Sequence, residues 1–390
     1  MVQLFLRTRR QFPASGVRLA CVLLLLAVPA GAASKSKKDN SAEPAPPDLL
    51  LDGGRKLHYE RSFSSEKEVE GKRGFFTKLV DVVAGEPDHP HLVRPYSIAV
   101  DSRGRAIVTD PGANGIHIFD FENHKYKLIE RRDKDRDSMR SPQCVAVDAQ
   151  DNIYVTDSES GKIFVFDPSG KFRRTIGSLK GGEGFFKRPT GIAIDSAAQR
   201  IFITDTLRDK VFVLDMNGSV LQTIGKRGNG EVEFNLPTEL LVREQNLFVV
   251  DAMNFRVQFL DRSGTFQASV GQLGDRSGSM FRPKGIGLDS EGHLYVVDGM
   301  WGVVQVFDQQ GRLLYYFGSR GTRSGEFQLP AGLFIDHEDR IFVVDSFNRR
   351  IQVFHYYGLP KSVEIRTSPK NGETLRLRSG QGWIIQGGQP

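Results

Sequence analysis

The chain has 390 residues, 39% of them hydrophobic and 26% charged, with 41 Gly and 27 Phe. This is a globular composition, and one rich in turn formers and aromatics favours β-structure over helix. The net charge of +6 includes Arg7, Arg9, Arg10 and Arg18; beyond residue 33, 49 basic residues face 47 acidic ones, which argues against a global field for nucleic acid.

Residues 1–33 read as a signal peptide. A basic, acid-free start is followed by an apolar run over 19–33 that ends in Gly31-Ala32-Ala33, too short to span a bilayer, which takes ~20 residues. Thr8-Arg9-Arg10-Gln11-Phe12 resembles a twin-arginine export signal. The expectation is a secreted or periplasmic protein that touches the membrane only if the signal stays uncleaved. Cys21 falls inside the apolar run, leaving Cys144 unable to form an intrachain disulfide and expected as a buried, inert thiol. Residues 34–48, rich in Lys, Ser and Pro, read as a disordered linker, and 49–74 as an N-terminal extension in which 58–63 adds a short strand.

Residues 75–358 carry a repeat of about 47 residues. Proline before an apolar stretch recurs at Pro95, Pro142, Pro189, Pro237, Pro283 and Pro330. An Asp closing a second apolar run recurs at Asp110, Asp157, Asp205, Asp251, Asp298 and Asp345. Another Asp follows the proline by six residues, at 101, 148, 195, 289 and 336, with Arg243 the exception. Each unit holds four short runs rich in Val, Ile and Phe, bounded by turn residues. The two middle runs are almost continuously apolar, as strands buried on both faces are. Six units of four strands predict an all-β fold, a six-bladed β-propeller. The last unit lacks a fourth strand, and residues 78–85 are the expected closing strand, with 361–366 as the rival. Residues 359–390, rich in Gly and Gln and containing Trp383, read as a tail.

Asp251-Ala-Met-Asn-Phe-Arg-Val-Gln-Phe259 and Asp345-Ser-Phe-Asn-Arg-Arg-Ile-Gln-Val-Phe354 resemble the NHL repeat, as do the segments 184–195 and 325–330. The resemblance, over about 75–355, implies an exported bacterial NHL-repeat propeller. Blades one and five depart from the pattern: Gly115 and Val303 stand where other blades have Lys162, Lys210, Arg256 and Arg350. Blade one also carries the charged stretch 130–137 in place of a strand-ending Gly.

The six repeated Asp residues are expected to be structural, each capping a turn and pairing with the basic residue five positions on. The eight histidines give no shared inner-strand pattern for a metal, so no cofactor is expected. The functional surface is a face. The loops between second and third strands, and those leading into first strands, bring together Trp301, Phe255, Phe347, Met253, Met300, Arg208, Arg256, Arg349, Tyr96, Arg94, Arg188 and Arg282, a composition typical of interface hot spots. The expected function is non-catalytic binding of a protein, peptide or cell-envelope glycan by a monomer. The resemblance also brings two alternatives, a metal-dependent propeller enzyme of the lyase or lactonase type, and single-stranded RNA binding as in other NHL proteins.

Overall fold

The computed structural model describes residues 45–69, 89–130 and 138–359. Its described residues form six antiparallel blades, with helix confined to single 3-10 turns. The predicted signal peptide, the segment 78–85, the stretch 131–137 and the tail from 360 onward lie outside the described residues.

Each of the first five blades is a four-stranded meander in chain order. Blade one runs Ser97–Val100, Ala106–Asp110, Gly115–Asp120 and Lys125–Glu130. Blade four runs Pro237–Arg243, Asn246–Asp251, Arg256–Asp261 and Phe266–Val270. Burial follows the sequence pattern. Second strands such as Ile153–Asp157 and Leu294–Asp298 are buried throughout, while outer strands such as Val220–Ile224 are largely exposed.

The apolar residues form six clusters, one between each pair of neighbouring blades. A blade is thus stable only when flanked on both sides, which makes ring closure the decisive step. Three blades show how glycine permits the packing. Gly177, Gly225 and Gly318 end their outer strands at φ near +80 to +90°, and a Cβ there would strike Phe186, Phe234 or Phe327 at 2.9, 2.3 and 2.3 Å. These aromatic residues, each three positions before a repeat proline, are buried plugs.

Closure comes from the N-terminus, through a different segment from the one expected. Lys56–Phe63 pairs antiparallel with Arg350–Tyr357 and completes blade six, with Leu49–Leu50 added outside it. The extension read over 49–74 therefore belongs in part to the propeller, and the fourth-strand place assigned to 78–85 is occupied by 56–63. The reason is burial on two faces. Leu57 and Tyr59 pack in the core between blades five and six, whereas Phe63 packs in the core between blades six and one. A register shift between Tyr59 and Arg61 places Glu60 as an extra residue and reverses which face the odd positions cover. One strand thereby serves both cores and removes the exposed edge.

Candidate ligand-binding face

The six repeated aspartates define one face of the ring. All are fully buried. Asp251 accepts from the Asn235 amide at 2.7 Å, Asn254 Nδ2 at 2.8 Å, Arg256 Nε at 2.9 Å and Gln258 Nε2 at 3.1 Å. Asp345 repeats this set with Gln328, Asn348, Arg350 and Gln352. Asp110 accepts from the Val93 and Arg94 amides, and Asp298 from those of Phe281 and Arg282. Each carboxylate thus ties a loop between second and third strands to the segment leading into its own first strand, so both loop sets share a face. Their lone pairs are spent on these bonds. In blade one His117 stands where blades four and six have Gln258 and Gln352; it is fully buried, with Nε2 3.5 Å from Asp110 Oδ2 and Nδ1 2.7 Å from the Tyr126 hydroxyl.

The residues named from sequence divide into two groups on this face. Trp301, Phe347 and Met253 are exposed, at 43, 57 and 48%, and Leu207 joins them at 42%. These lie on blades three to six. The matching positions of blades one and two hold Gly112 with Ala113, and Glu159 with Ser160. Phe281 and Leu329, which lead into the first strands of blades five and six, extend the apolar arc; sequence reading passed over both. Phe255 is half-buried against Phe281, with ring centroids 6.3 Å apart, and Met300 is also half-buried. Arg94, Arg188, Arg282 and Arg349 are exposed, whereas Arg256 turns inward, bonding Asp251 and the carbonyls of Gly230 and Glu233. Arg208 lies between, 3.6 Å from Asp205 and over the Phe185 ring.

Along the axis the first strands surround a cavity of about 210 Å³. The position two after each repeat proline carries Ser97, Cys144, Gly191, Glu239, Gly285 and Gly332. The glycines allow close approach of neighbouring blades: the Gly332 amide donates to the Tyr96 carbonyl at 2.8 Å and the Gly285 amide to that of Ala331 at 2.9 Å. A Cβ at Gly332 would meet the Tyr96 carbonyl at 2.7 Å. Glu239 interrupts this small-residue series. It borders the cavity and its Oε2 accepts from the Cys144 thiol at 3.0 Å, across blade three. Burial pushes the Glu239 carboxyl up to about 7, and burial with the Glu239 charge pushes the thiol well up, so Cys144 is a poor nucleophile. Tyr96 packs against the core between blades six and one and also against the core between blades two and three, so its ring reaches beyond its own blade. Lys284 Nζ lies 5.5 Å from its ring, and burial together with the neighbouring Arg282 pushes Lys284 down to about 8. Among the described residues no three His, Cys, Asp or Glu side chains are placed to hold a metal.

The family described as a 6-bladed beta-propeller matches residues 194–268 and 286–368, and the NHL repeat matches 139–166. No curated protein matches the sequence. Among solved structures, a protein of unknown function from Bacteroides thetaiotaomicron aligns at TM-score 0.54 and 13% identity, over 80% of this chain and 84% of that one. An auxiliary nutrient binding protein from the same organism aligns at 0.53 and 14%, over 68% and 69%. A virginiamycin B lyase from Staphylococcus aureus aligns at 0.49 and 15%, over 75% and 83%. At these identities the likeness is one of fold. The repeat markers, the six-blade ring and the two matches together show a six-bladed β-propeller that carries an NHL repeat at residues 139–166.

Proposed function

We propose that the chain is a non-catalytic binding protein, acting after export, that engages a protein or peptide partner through the loop face. The supporting observation is the exposed apolar arc of Leu207, Met253, Trp301 and Phe347, with Phe281 and Leu329 beside it. The blades do not need this arc. At the positions of Leu207, Met253, Trp301 and Phe347 blades one and two carry no large apolar side chain, yet Asp110 and Asp157 still bond their turn amides. A large exposed aromatic gains nothing in water, while desolvation against a partner contributes roughly 25 cal/mol per Å² of apolar surface buried. Trp301 and Phe347 are the anchors, since aromatics at the centre of a contact dominate binding energy.

The test is a crosslinked pull-down from the exported fraction with wild type, Trp301→Ala with Phe347→Ala, and a control at Gln309 on the opposite face. Loss of a specific partner from the double variant alone is the expected result. The same partner set in all three refutes the assignment.

A further inference from the structure

The face carries a charge pattern that the repeat does not demand. The residue just before each repeat proline is Arg94, Ser141, Arg188, Leu236, Arg282 or Leu329 in blades one to six. Arginine thus recurs on alternate blades, so the three side chains surround the axis. Its use is not structural. The backbone amides of Arg94, Arg188 and Arg282 bond Asp110, Asp205 and Asp298, and Ser141 gives Asp157 the same amide bond at 2.7 Å with no cationic side chain. All three guanidinium groups are exposed, and among the described residues none has a carboxylate within ion-pair distance.

Two further donors adjoin this ring through Arg282: Lys284 and the Tyr96 hydroxyl. Lys284 lies against the Tyr96 ring with no carboxylate partner among the described residues. Burial keeps the Tyr96 phenol protonated, so its O–H remains a donor; Cys144 and Glu239 act on it in one direction and Arg188 and Arg282 in the other. Like charges gathered without an ion pair among the described residues disfavour the free protein slightly, and an anion seated among them reverses the sign. Arginine gives carboxylates two parallel hydrogen bonds, which fixes orientation as well as affinity.

We propose that this cationic ring is a carboxylate site, formed by Arg94, Arg188, Arg282, Lys284 and the Tyr96 hydroxyl, and that its ligand is an acidic peptide segment whose apolar residues lie on the neighbouring arc. The inference rests on the binding reading above and names the partner's chemistry. An acidic peptide fits better than a nucleic acid because the charge is a compact ring bordered by an apolar arc, and the chain beyond residue 33 is nearly neutral.

The experiment is selection from a phage-displayed random peptide library on the full chain, followed by affinity measurement of one winning peptide. Wild type should select peptides enriched in Asp and Glu beside aromatic or aliphatic residues. Arg94→Gln, Arg188→Gln and Arg282→Gln should each weaken the winner by about threefold, and the triple variant by about twentyfold or more. Unchanged melting temperatures establish that these surface changes leave the fold intact. Winners without acid enrichment, or equal affinity in the triple variant, overturn the carboxylate site and leave the apolar-arc reading standing. Equal affinity in Trp301→Ala with Phe347→Ala, with loss in the triple variant, removes the arc reading instead. A single-stranded uridylate oligomer that binds more tightly than the winner, with the same loss in the triple variant, overturns the peptide assignment in favour of RNA.

Discussion

Replacing Glu239 by Gln should stabilise the propeller at alkaline pH and change little at acid pH. In the folded chain the Glu239 carboxyl rises from its ordinary 4.5 to about 7, because burial at the axial cavity outweighs the bonds from Cys144 and the Leu240 amide. Below pH 4.5 the group is protonated in both folded and unfolded chains and contributes no difference. As pH rises from 4.5 to 7 the unfolded chain releases the proton first, so stability falls; above 7 the penalty is constant. At ~1.4 kcal/mol per pH unit this penalty is about 3 kcal/mol. Unfolding entropy of ~2 cal/mol/K per residue converts that, for a propeller of this length, into about 5 °C in Tm. Calorimetry of wild type and E239Q at pH 4 and pH 8 isolates the effect, since other groups titrate alike in both. The variant should melt about 5 °C higher at pH 8 and within a degree of wild type at pH 4. An equal shift at both values, or a lower Tm at pH 8, refutes the account.

Two further outcomes concern the ring itself. Asp345→Ala leaves Arg350, Asn348, Gln352 and the Gln328 amide without their buried acceptor, and should cost about 3–5 kcal/mol by denaturant titration; a loss under 1 kcal/mol would show that the carboxylate is dispensable. Deleting residues 45–63 should expose the Arg350–Tyr357 edge and uncover the cores that Leu57, Tyr59 and Phe63 fill, giving a lower Tm and concentration-dependent aggregation by light scattering; an unchanged Tm would mean that another segment closes the ring.

The periodic features were legible because each is local. A proline, an apolar run and an Asp-led turn use bonds among nearby residues, so six copies spell out six blades, their strand order and the structural role of the aspartates. The exposed aromatics were legible too, since Trp301 and Phe347 sit in turns where the repeat has no use for them. Arg256 was less so. Its neighbours in sequence do not reveal that it turns inward to the Gly230 and Glu233 carbonyls. Glu239 was readable only by aligning the six copies, where an acid interrupts a series of small residues.

What the sequence by itself determined is the unit: its strands, its turns and its number. What only the tertiary structure decided is whatever joins units far apart in the chain. Residues 56–63 and 78–85 both read as strands, and local propensity could not choose between them. The choice of 56–63 depends on matching side chains to two cores whose other members include residues from Ile98 in blade one to Phe354 in blade six, with an extra residue at Glu60 turning one strand toward both. The bond between Cys144 and Glu239, the contact between Tyr96 and Lys284, and the encircling of the axis by Arg94, Arg188 and Arg282 arise in the same way. Ring closure brings together residues that no local rule connects.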